Sequence, residues 1–485
     1  MAAAPAHPNA SQLSSVEVER GLVLTVRDGV FTQMMVTLTG GVFLIDFALG
    51  LGASNLAVGV IAAIPALANL LQLPAVALVE SIRRRRAIVV ILSVPARALF
   101  FLIALLPFLP ASMSGLGVSL LIAALALLYG VASISHCAWN SWMRDLVPTD
   151  RLGGLFARRM MLAAAISAVL APIAGGYVEW FRAAWPAAAA YTYVPLFIAG
   201  GLAGLIGVWI LAITPEPPMA VADDEATSTG FIARTMAPLR DANFRRVTLF
   251  LLAWNGAANL AAPFFAVYML RRIGLEVGLV TLLTATFQLA NLAAFGPWGR
   301  IADRHASRSV LDVAVPGFIC AIPGFILASM FETPAACFAV LLVLHVALGL
   351  AHAGVALTGT TLVLKLAPPG QATAYVAVVS LIANLAGGLA PIAGGWLADR
   401  LAAVAVPLGD MPGKDGTYAL GGWDILFLTA FALGLLAIVA ERGIREAGAI
   451  GGGQSAVAFI RELAADAGRG LARLFGRHER QEKPG

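Results

Sequence analysis

Twelve long apolar segments constrain the fold of this chain more than any other feature of its sequence. A helix that crosses the hydrocarbon core of a bilayer needs about 20 mainly apolar residues, and each segment is close to that length or longer. The predicted membrane-spanning helices cover about 29–52, 55–79, 87–110, 116–140, 159–180, 187–213, 247–270, 277–299, 309–331, 335–363, 373–397 and 423–441.

The composition excludes a soluble enzyme and favours an all-α polytopic membrane protein. Of 485 residues, 60% are hydrophobic and only 12% are charged, whereas a soluble domain carries about 25% charged residues. Barrel strands alternate apolar and polar residues, which the apolar run Ala87–Leu109 does not. Three cysteines in apolar segments suggest neither a disulfide framework nor a metal site, and no nucleotide-binding loop is present. We therefore expect no catalysis and no cofactor.

The basic residues predict the topology. With a cytoplasmic tail at 1–28, a cytoplasmic central loop at 214–246 and a cytoplasmic tail at 442–485, the inner segments hold 26 of the 32 lysines and arginines. The outer segments hold five. Because cytoplasmic loops carry the excess of positive charge, both termini are expected in the cytoplasm. This distribution also explains the net charge of +5 without a nucleic acid partner.

An internal repeat divides the chain into two halves of six spans, 29–213 and 247–441. The word LeuAlaAsnLeu occurs at 67–70 and at 289–292, and LeuAlaProIleAlaGlyGly occurs at 170–176 and at 389–395. Both words recur at nearly the same offset, so the second and eighth spans correspond, as do the fifth and eleventh. Two six-helix halves in parallel repeat are a known transporter plan.

The loop after the eighth span, Gly299–Arg308, resembles the G-x-x-x-D-R-x-G-R signature of the major facilitator superfamily, with Ala306 at the later glycine. The sequence resembles bacterial members of that superfamily without indicating a subfamily. The resemblance implies two six-helix bundles, a solute site between them and a conformational latch in the loop. In the second half the latch residues are Gly299, Asp303, Arg304 and Arg308. Gly299 would allow close helix approach, and Asp303 would cap the next helix or pair with an arginine.

The first half carries a degraded copy of this loop. Glu80 and Arg83 are its latch candidates, followed by the rest of the cluster Arg83–Arg86. A purely topogenic role for those arginines is an equal alternative.

The repeated seven-residue word predicts a hinge in both halves. Its first copy resembles the G-P-x-x-G-G element of antiporters in the same superfamily, with Ala171 at the first glycine. A proline removes a backbone hydrogen bond and kinks a helix, while glycines let a neighbour pack closely. The predicted hinge residues are Pro172, Gly175, Gly176, Pro391, Gly394 and Gly395.

Placing a polar residue inside a membrane-spanning helix costs free energy, so such residues are candidates for function. The resemblance implies that the first, fourth, seventh and tenth helices line the solute path, and Arg97 in the third span offers a fixed cation. The candidates for the substrate and proton pathway are Gln33, Asp46, Arg97, His136, Trp139, Trp254, Asn255, Asn259, His345 and His352. Protonation of Asp46 is the hypothesis for coupling transport to a proton gradient.

These observations predict a secondary active transporter of a small solute in the bacterial inner membrane, proton-coupled and monomeric, with a slight preference for efflux. Uptake of a sugar or an organic acid is one alternative. A transporter-like assembly factor, or a carrier of a lipid or pigment without solute cycling, is another. Apolar residues at helical spacing from Ile460 to Leu474 predict a basic amphipathic helix on anionic membrane lipids.

Overall fold

A computed structural model describes residues 13–148, 151–219, 240–331, 333–367, 372–413 and 416–476. Within these residues, twelve helices are long and apolar enough to cross a membrane. The prediction of a multi-pass α-helical membrane protein is confirmed. The spans are Ser15–Gly50, Asn55–Ile82, Arg85–Phe108, Gly117–Leu146, Gly154–Ala184, Pro186–Ala212, Ala242–Ile273, Val277–Arg304, Ser307–Ser329, Pro334–Val363, Tyr375–Arg400 and Gly422–Arg442.

The chain forms two compact units. The N-terminal unit comprises Met1–Ser228 and Glu276–Thr281, and the C-terminal unit comprises Thr229–Leu275 and Leu282–Gly485. The helices of the N-terminal unit are α1 (Ser15–Thr39), α2 (Gly41–Gly50), α3 (Asn55–Ala68), α4 (Gln72–Ile82), α5 (Arg85–Ala104), α6 (Gly117–Leu146), α7 (Leu152–Ala184) and α8 (Val194–Ala212).

The C-terminal unit contains the remaining described elements. They are α9 (Ala242–Val267), α10 (Val277–Arg304, from Leu282 onward), α11 (Ser307–Ala321), α12 (Gly324–Ser329), α13 (Pro334–Leu366), α14 (Ala372–Arg400), β1 (Val406–Gly413), β2 (Gly416–Leu420), α15 (Gly422–Arg442) and α16 (Gly452–Gly476). The two strands form an antiparallel hairpin between α14 and α15, at a position where the sequence predicts only a loop.

The first helix begins at Ser15 rather than at about 29, so residues 15–28 of the predicted cytoplasmic tail are helical and continuous with the first span. Ser14 and Glu17 form a reciprocal capping box, in which the Glu17 side chain accepts from the Ser14 backbone N–H at 2.8 Å. Leu22 and Asp28 are buried, which a detached cytoplasmic tail would not allow. Hydropathy alone predicts a later start because this part of the helix carries several charged side chains. The tail residues 1–12 lie outside the described residues.

Small residues let helices of the N-terminal unit approach closely. On α8, a Cβ atom added to Gly200 would overlap the side chain of Thr39 on α1. One added to Gly201 would lie 3.1 Å from the Phe101 ring on α5. In a membrane, helix association depends on such close packing because lipid tails already surround apolar side chains. The glycine face of α8 therefore fixes how α1 and α5 are oriented around it.

Candidate substrate site

A cavity of about 390 Å³ lies inside the N-terminal unit. Its walls come from α1, α3, α5, α6, α7 and α8, and most of its lining is apolar. The charged side chains in that lining are Asp28, Arg97 and Arg159. An apolar pocket of this size with a few convergent polar groups is the usual form of a small-molecule site.

Asp28 is the centre of the charged cluster, and only 2% of its side chain is exposed. Its Oδ2 accepts a hydrogen bond from Arg159 Nη2 at 3.0 Å, and its Oδ1 accepts one from Thr32 at 3.1 Å. Arg159 also donates from Nη1 to the carbonyl of Thr25 at 3.0 Å. These contacts join α1 to α7 through one buried ion pair.

Arg97 supplies a second cation to the same cavity. Its guanidinium donates to the carbonyl oxygen of Gly204 and lies 3.5 Å from the Thr32 hydroxyl. No carboxylate among the residues described lies within salt-bridge distance of it. A Cβ atom at Gly207 would lie 2.9 Å from Arg97 Nη1 and 3.2 Å from Asp28 Oδ1. The absence of a side chain at Gly207 therefore makes room for the cluster.

An aromatic wall completes the cavity on α6. Trp139 and His136 stack with their ring planes 8° apart, and the Arg159 guanidinium lies 4.7 Å from the centre of the Trp139 ring. Phe156 meets the indole edge-on. The predicted residues Arg97, His136 and Trp139 are thus brought together in one cavity, although they come from two different spans.

Asp46 lies in a separate cavity of about 240 Å³ in the N-terminal unit. Its carboxylate accepts from Arg182 Nη2 at 2.7 Å and from the Tyr193 hydroxyl. Arg182 and Tyr193, rather than Arg97, are therefore the partners of this carboxylate. The cause is geometric, since Asp46 follows the break in the first span at Gly40 and faces the ends of α7 and α8.

Gln33 is the last predicted pathway residue of the N-terminal unit. Its side-chain nitrogen donates to the Ser167 hydroxyl at 2.7 Å and so links α1 to α7. It does not line the cavity that contains Asp28.

A third cavity, of about 320 Å³, lies inside the C-terminal unit. It is lined by Trp254, Asn255 and His352, which the sequence analysis predicted. His352 Nδ1 lies 2.9 Å from the Asn291 amide nitrogen. Asn255 donates to the backbone carbonyl of Leu251 in its own helix, so its amide does not bridge helices.

Two other predicted residues have structural partners in the C-terminal unit. His345 is buried, its Nδ1 lies 2.7 Å from the Leu341 carbonyl, and its ring meets Phe325 edge-on. Asn259 donates to the carbonyl of Asn255 at 2.9 Å. Neither lines the cavity of this unit.

The predicted hinge prolines lie inside α7 and α14, at Pro172 and Pro391. A Cβ atom at Gly394 would lie 2.7 Å from the Leu260 carbonyl oxygen, so α14 packs against α9 as the glycine predicted. Gly176 has no atom within 4 Å of such a Cβ. Close packing therefore does not explain Gly176.

The signature loop differs in detail from its predicted role. A Cβ atom at Gly299 would make only an ordinary contact, 3.9 Å from Leu357. Asp303 is exposed, and the N-cap of α11 is Ala306 without a side-chain bond. Glu446 instead accepts the backbone N–H groups of Ser307 and Arg308, at 3.2 and 2.9 Å. The predicted cap is wrong because a carboxylate distant in sequence occupies that helix end.

In the degraded first-half loop, Arg83 and Glu80 contact each other only locally. Arg83 ends α4 in a left-handed conformation, and its Nε donates to the Glu80 carbonyl at 3.2 Å. The contact that joins this loop to another helix is made by Arg85, whose side chain is completely buried and pairs with Asp145 on α6. Arg85 also donates to the Pro217 carbonyl at 2.7 Å.

The C-terminal amphipathic helix forms as predicted and packs on α10. Phe459 stacks on Trp298 with ring centres 3.8 Å apart. Arg300 pairs with Glu462 and Asp466, both at 2.6 Å, and Arg304 pairs with Glu462 at 2.5 Å. Two acidic residues of the tail thus hold two arginines of the signature loop. Lipid binding by the opposite face stays a prediction.

Acidification is expected to release α16. The hydrogen bonds from Arg300 lower the pKa of Glu462 and of Asp466. A lowered pKa means that docking is fully stabilised above the ordinary value of about 4 and weakens as pH falls through the bound-state pKa. Hydrogen exchange of α16 amides should therefore accelerate in acid. Glu462→Gln with Asp466→Asn should exchange quickly even at pH 7, whereas exposed Arg461→Gln should not. Equal protection in the double variant would contradict this.

Comparison with known proteins identifies the family. A sequence profile of the major facilitator superfamily matches residues 29–344 and 249–447, so the chain belongs to the major facilitator superfamily. No curated protein sequence matches the chain.

Solved structures of transporters share the fold. A D-xylose-proton symporter matches with a TM-score of 0.65 and 13% identity, over 90% of this chain and 99% of that chain. The nucleoside transporter NupG matches with a TM-score of 0.61 and 12% identity, over 88% and 98%. A bacterial homologue of the iron transporter ferroportin matches with 0.58 and 16%, over 89% and 99%. At these identities the likeness shows the fold alone, and that fold supports secondary transport of a small solute.

Sequence reasoning missed Asp28 and Arg159, the ion pair of the main cavity. Asp28 was assigned to the cytoplasmic tail, and Arg159 was counted among the inner basic residues. One signal could have found them, because both lie next to the start of a predicted apolar segment, where a charged side chain can face either the protein interior or the surface. Only packing of α1 against α7 distinguishes the two.

Proposed function

We propose that this protein is a proton-coupled secondary transporter that binds a small solute in the cavity of the N-terminal unit and moves it by alternating access. The observation that carries the proposal is Asp28, a buried carboxylate that shares a solute-sized cavity with Arg97 and Arg159. Buried ionisable groups in membrane helices typically mark ion or substrate pathways. Asp28 replaces Asp46 as the proposed proton carrier.

The coupling step follows from the charges. When Asp28 is ionised, it binds Arg159 and compensates its charge. When Asp28 takes up a proton, the ion pair is lost and the Arg159 guanidinium becomes available to a solute in the cavity. Each protonation state of Asp28 therefore presents a different site to the solute, which is the requirement for linking the two binding events.

The direction of transport has two candidates. The proline–glycine element of α7 resembles antiporters and favours efflux of a small amphipathic compound. The two arginines of the cavity favour uptake of an organic acid, since an acid needs a fixed cation. We propose the inner membrane of a bacterium as the location, with both termini in the cytoplasm, a monomeric protein and no nucleic acid partner.

A matched pair of double variants tests the proton role of Asp28. Asp28→Asn with Arg159→Gln removes the carboxylate while keeping the cavity charge unchanged. Glu19→Gln with Arg151→Gln removes an exposed ion pair that also anchors α1 beside α7. A thermal-shift screen against a solute library supplies a ligand, and its flux in proteoliposomes is measured with and without a pH gradient. Only the first double variant should lose the dependence on the gradient.

Two results would contradict this proposal. One is a gradient-dependent flux that survives in the Asp28 variant and disappears in Asp46→Asn. The other is a static pattern of accessibility, measured by labelling cysteines introduced along the cavity. That pattern would favour the alternative of an assembly factor or lipid carrier, because a transporter must protect and expose its cavity in turn.

A further inference from the structure

We propose that the solute is an organic monoanion with a planar apolar body, whose carboxylate or equivalent oxyanion binds Arg97 in the cavity that Trp139 also lines. This inference rests on the proposed function and specifies its substrate class.

The charge balance of the cavity is the first argument. Its lining contains two guanidinium groups and one carboxylate. The net charge of the cavity is therefore +1 when Asp28 is ionised and His136 is neutral. The carboxylate bonds to Arg159, whereas Arg97 donates to a backbone carbonyl and lies near a hydroxyl. One carboxylate therefore serves two guanidinium groups, and an excess of buried charge is costly. An anion that pairs with Arg97 would recover part of that cost.

The shape and chemistry of the walls are the second argument. The rings of Trp139 and His136 lie nearly parallel in this lining, and the Arg159 guanidinium lies 4.7 Å from the centre of the Trp139 ring. The rest of the lining includes Met35, Phe100 and Leu128. An aromatic or otherwise planar apolar body would bury surface against these side chains. A cation would meet two like charges and be rejected.

Proton and anion should bind cooperatively. Protonation of Asp28 raises the cavity charge from +1 to +2 and releases Arg159, so the anion binds more tightly to the protonated site. By thermodynamic reciprocity, the anion then also favours proton binding. Because the proton and the anion then bind and move together, the transport is a symport. An inward proton gradient would drive uptake of the anion.

Isosteric ligands that differ only in charge test this inference. Benzoate, benzamide and benzamidine share one ring and carry charges of −1, 0 and +1, and 2-naphthoate with 2-naphthamide repeats the comparison for a larger body. Calorimetric titration of the purified full-length protein at pH 7.5 and at pH 6 gives the affinities. We expect the anion of each series to bind about tenfold tighter than its neutral counterpart, a factor that corresponds to about 1.4 kcal/mol, and to bind still tighter at pH 6.

Variants assign the effect to the cavity. Arg97→Gln should lose the preference for anions, and Arg97→Lys should retain part of it because the charge remains. Arg158 is exposed and adjacent in sequence to the cavity residue Arg159. The control variant Arg158→Gln should therefore bind each ligand as the unaltered protein does. Thermal unfolding of Arg97→Gln checks that the variant is folded.

The outcomes separate this inference from the function on which it rests. Equal or tighter binding of the neutral or cationic ligands, or no binding of either anion, would overturn the substrate class while leaving proton coupling at Asp28 to its own test. Anion binding that Arg97→Gln does not weaken would overturn the assigned site. A third result would separate the two proposals. If anion-selective binding depends on Arg97 while the flux does not depend on Asp28, this inference is supported and the proposed proton coupling is contradicted.

Discussion

Replacing Asp28 with asparagine is expected to destabilise the protein by about 3 kcal/mol, because breaking a buried ion pair leaves an uncompensated charge. Asparagine keeps the shape of the side chain but leaves Arg159 and Arg97 in one cavity without a carboxylate. Since 19% of the Arg159 side chain is exposed, the cost should fall at the lower end of the usual range. The midpoint of thermal unfolding in detergent, followed by tryptophan fluorescence, measures it.

A double-mutant cycle distinguishes this mechanism from a general packing defect. Adding Arg159→Gln to Asp28→Asn should restore much of the lost stability, because the second substitution removes the charge that the first one exposed. The control pair Glu19 and Arg151 has side chains that are 58% and 54% exposed, and exposed pairs contribute about 1 kcal/mol or less. Additive losses at Asp28 and Arg159 would show that charge compensation is not the cause.

Replacing Arg85 with glutamine is expected to cost a similar amount, about 3 kcal/mol. The Arg85 side chain is completely buried, and it binds Asp145, the Ser141 carbonyl at 3.0 Å and the Pro217 carbonyl at 2.7 Å. Glutamine is shorter and uncharged, so it would leave the carboxylate and at least one carbonyl without a donor. The same unfolding measurement applies, and Asp145→Asn should lose a comparable amount.

Arg86 is the matched control for Arg85. It is the adjacent residue in the same basic cluster, and it is exposed. Its replacement by glutamine should change stability by about 0.5 kcal/mol or less, as is usual for surface substitutions. If the two variants unfolded alike, Arg85 would have only the topogenic role that the sequence leaves open for the whole cluster.

Part of the candidate site was predictable from the sequence. A charged or polar residue within an apolar segment has few alternatives to facing the protein interior, and Arg97, His136 and Trp139 do line one cavity. Asp46 lies in another cavity, beyond the break in the first span at Gly40. The sequence does not indicate that the ring of His345 meets Phe325 of α12.

The contacts of the signature loop show a second limit of sequence reasoning. The motif drew attention to Asp303, yet the carboxylates that bind this region are Glu446, Glu462 and Asp466. They follow the last membrane span and lie far from the loop in sequence. A local motif names the loop but does not show which distant segment folds back onto it.

The sequence by itself determined the class of protein and the twelve spans, and its repeated words predicted two similar halves. These follow from local properties, since about 20 consecutive apolar residues must form a helix to satisfy their backbone in lipid, and a repeated word reports a repeated unit. Only the tertiary structure decided which charges meet. Arg97 lies beside Asp28 and not Asp46, because the rotation and depth of each helix depend on the side chains of its neighbours, such as the glycines of α8 that admit α1 and the Arg97 side chain.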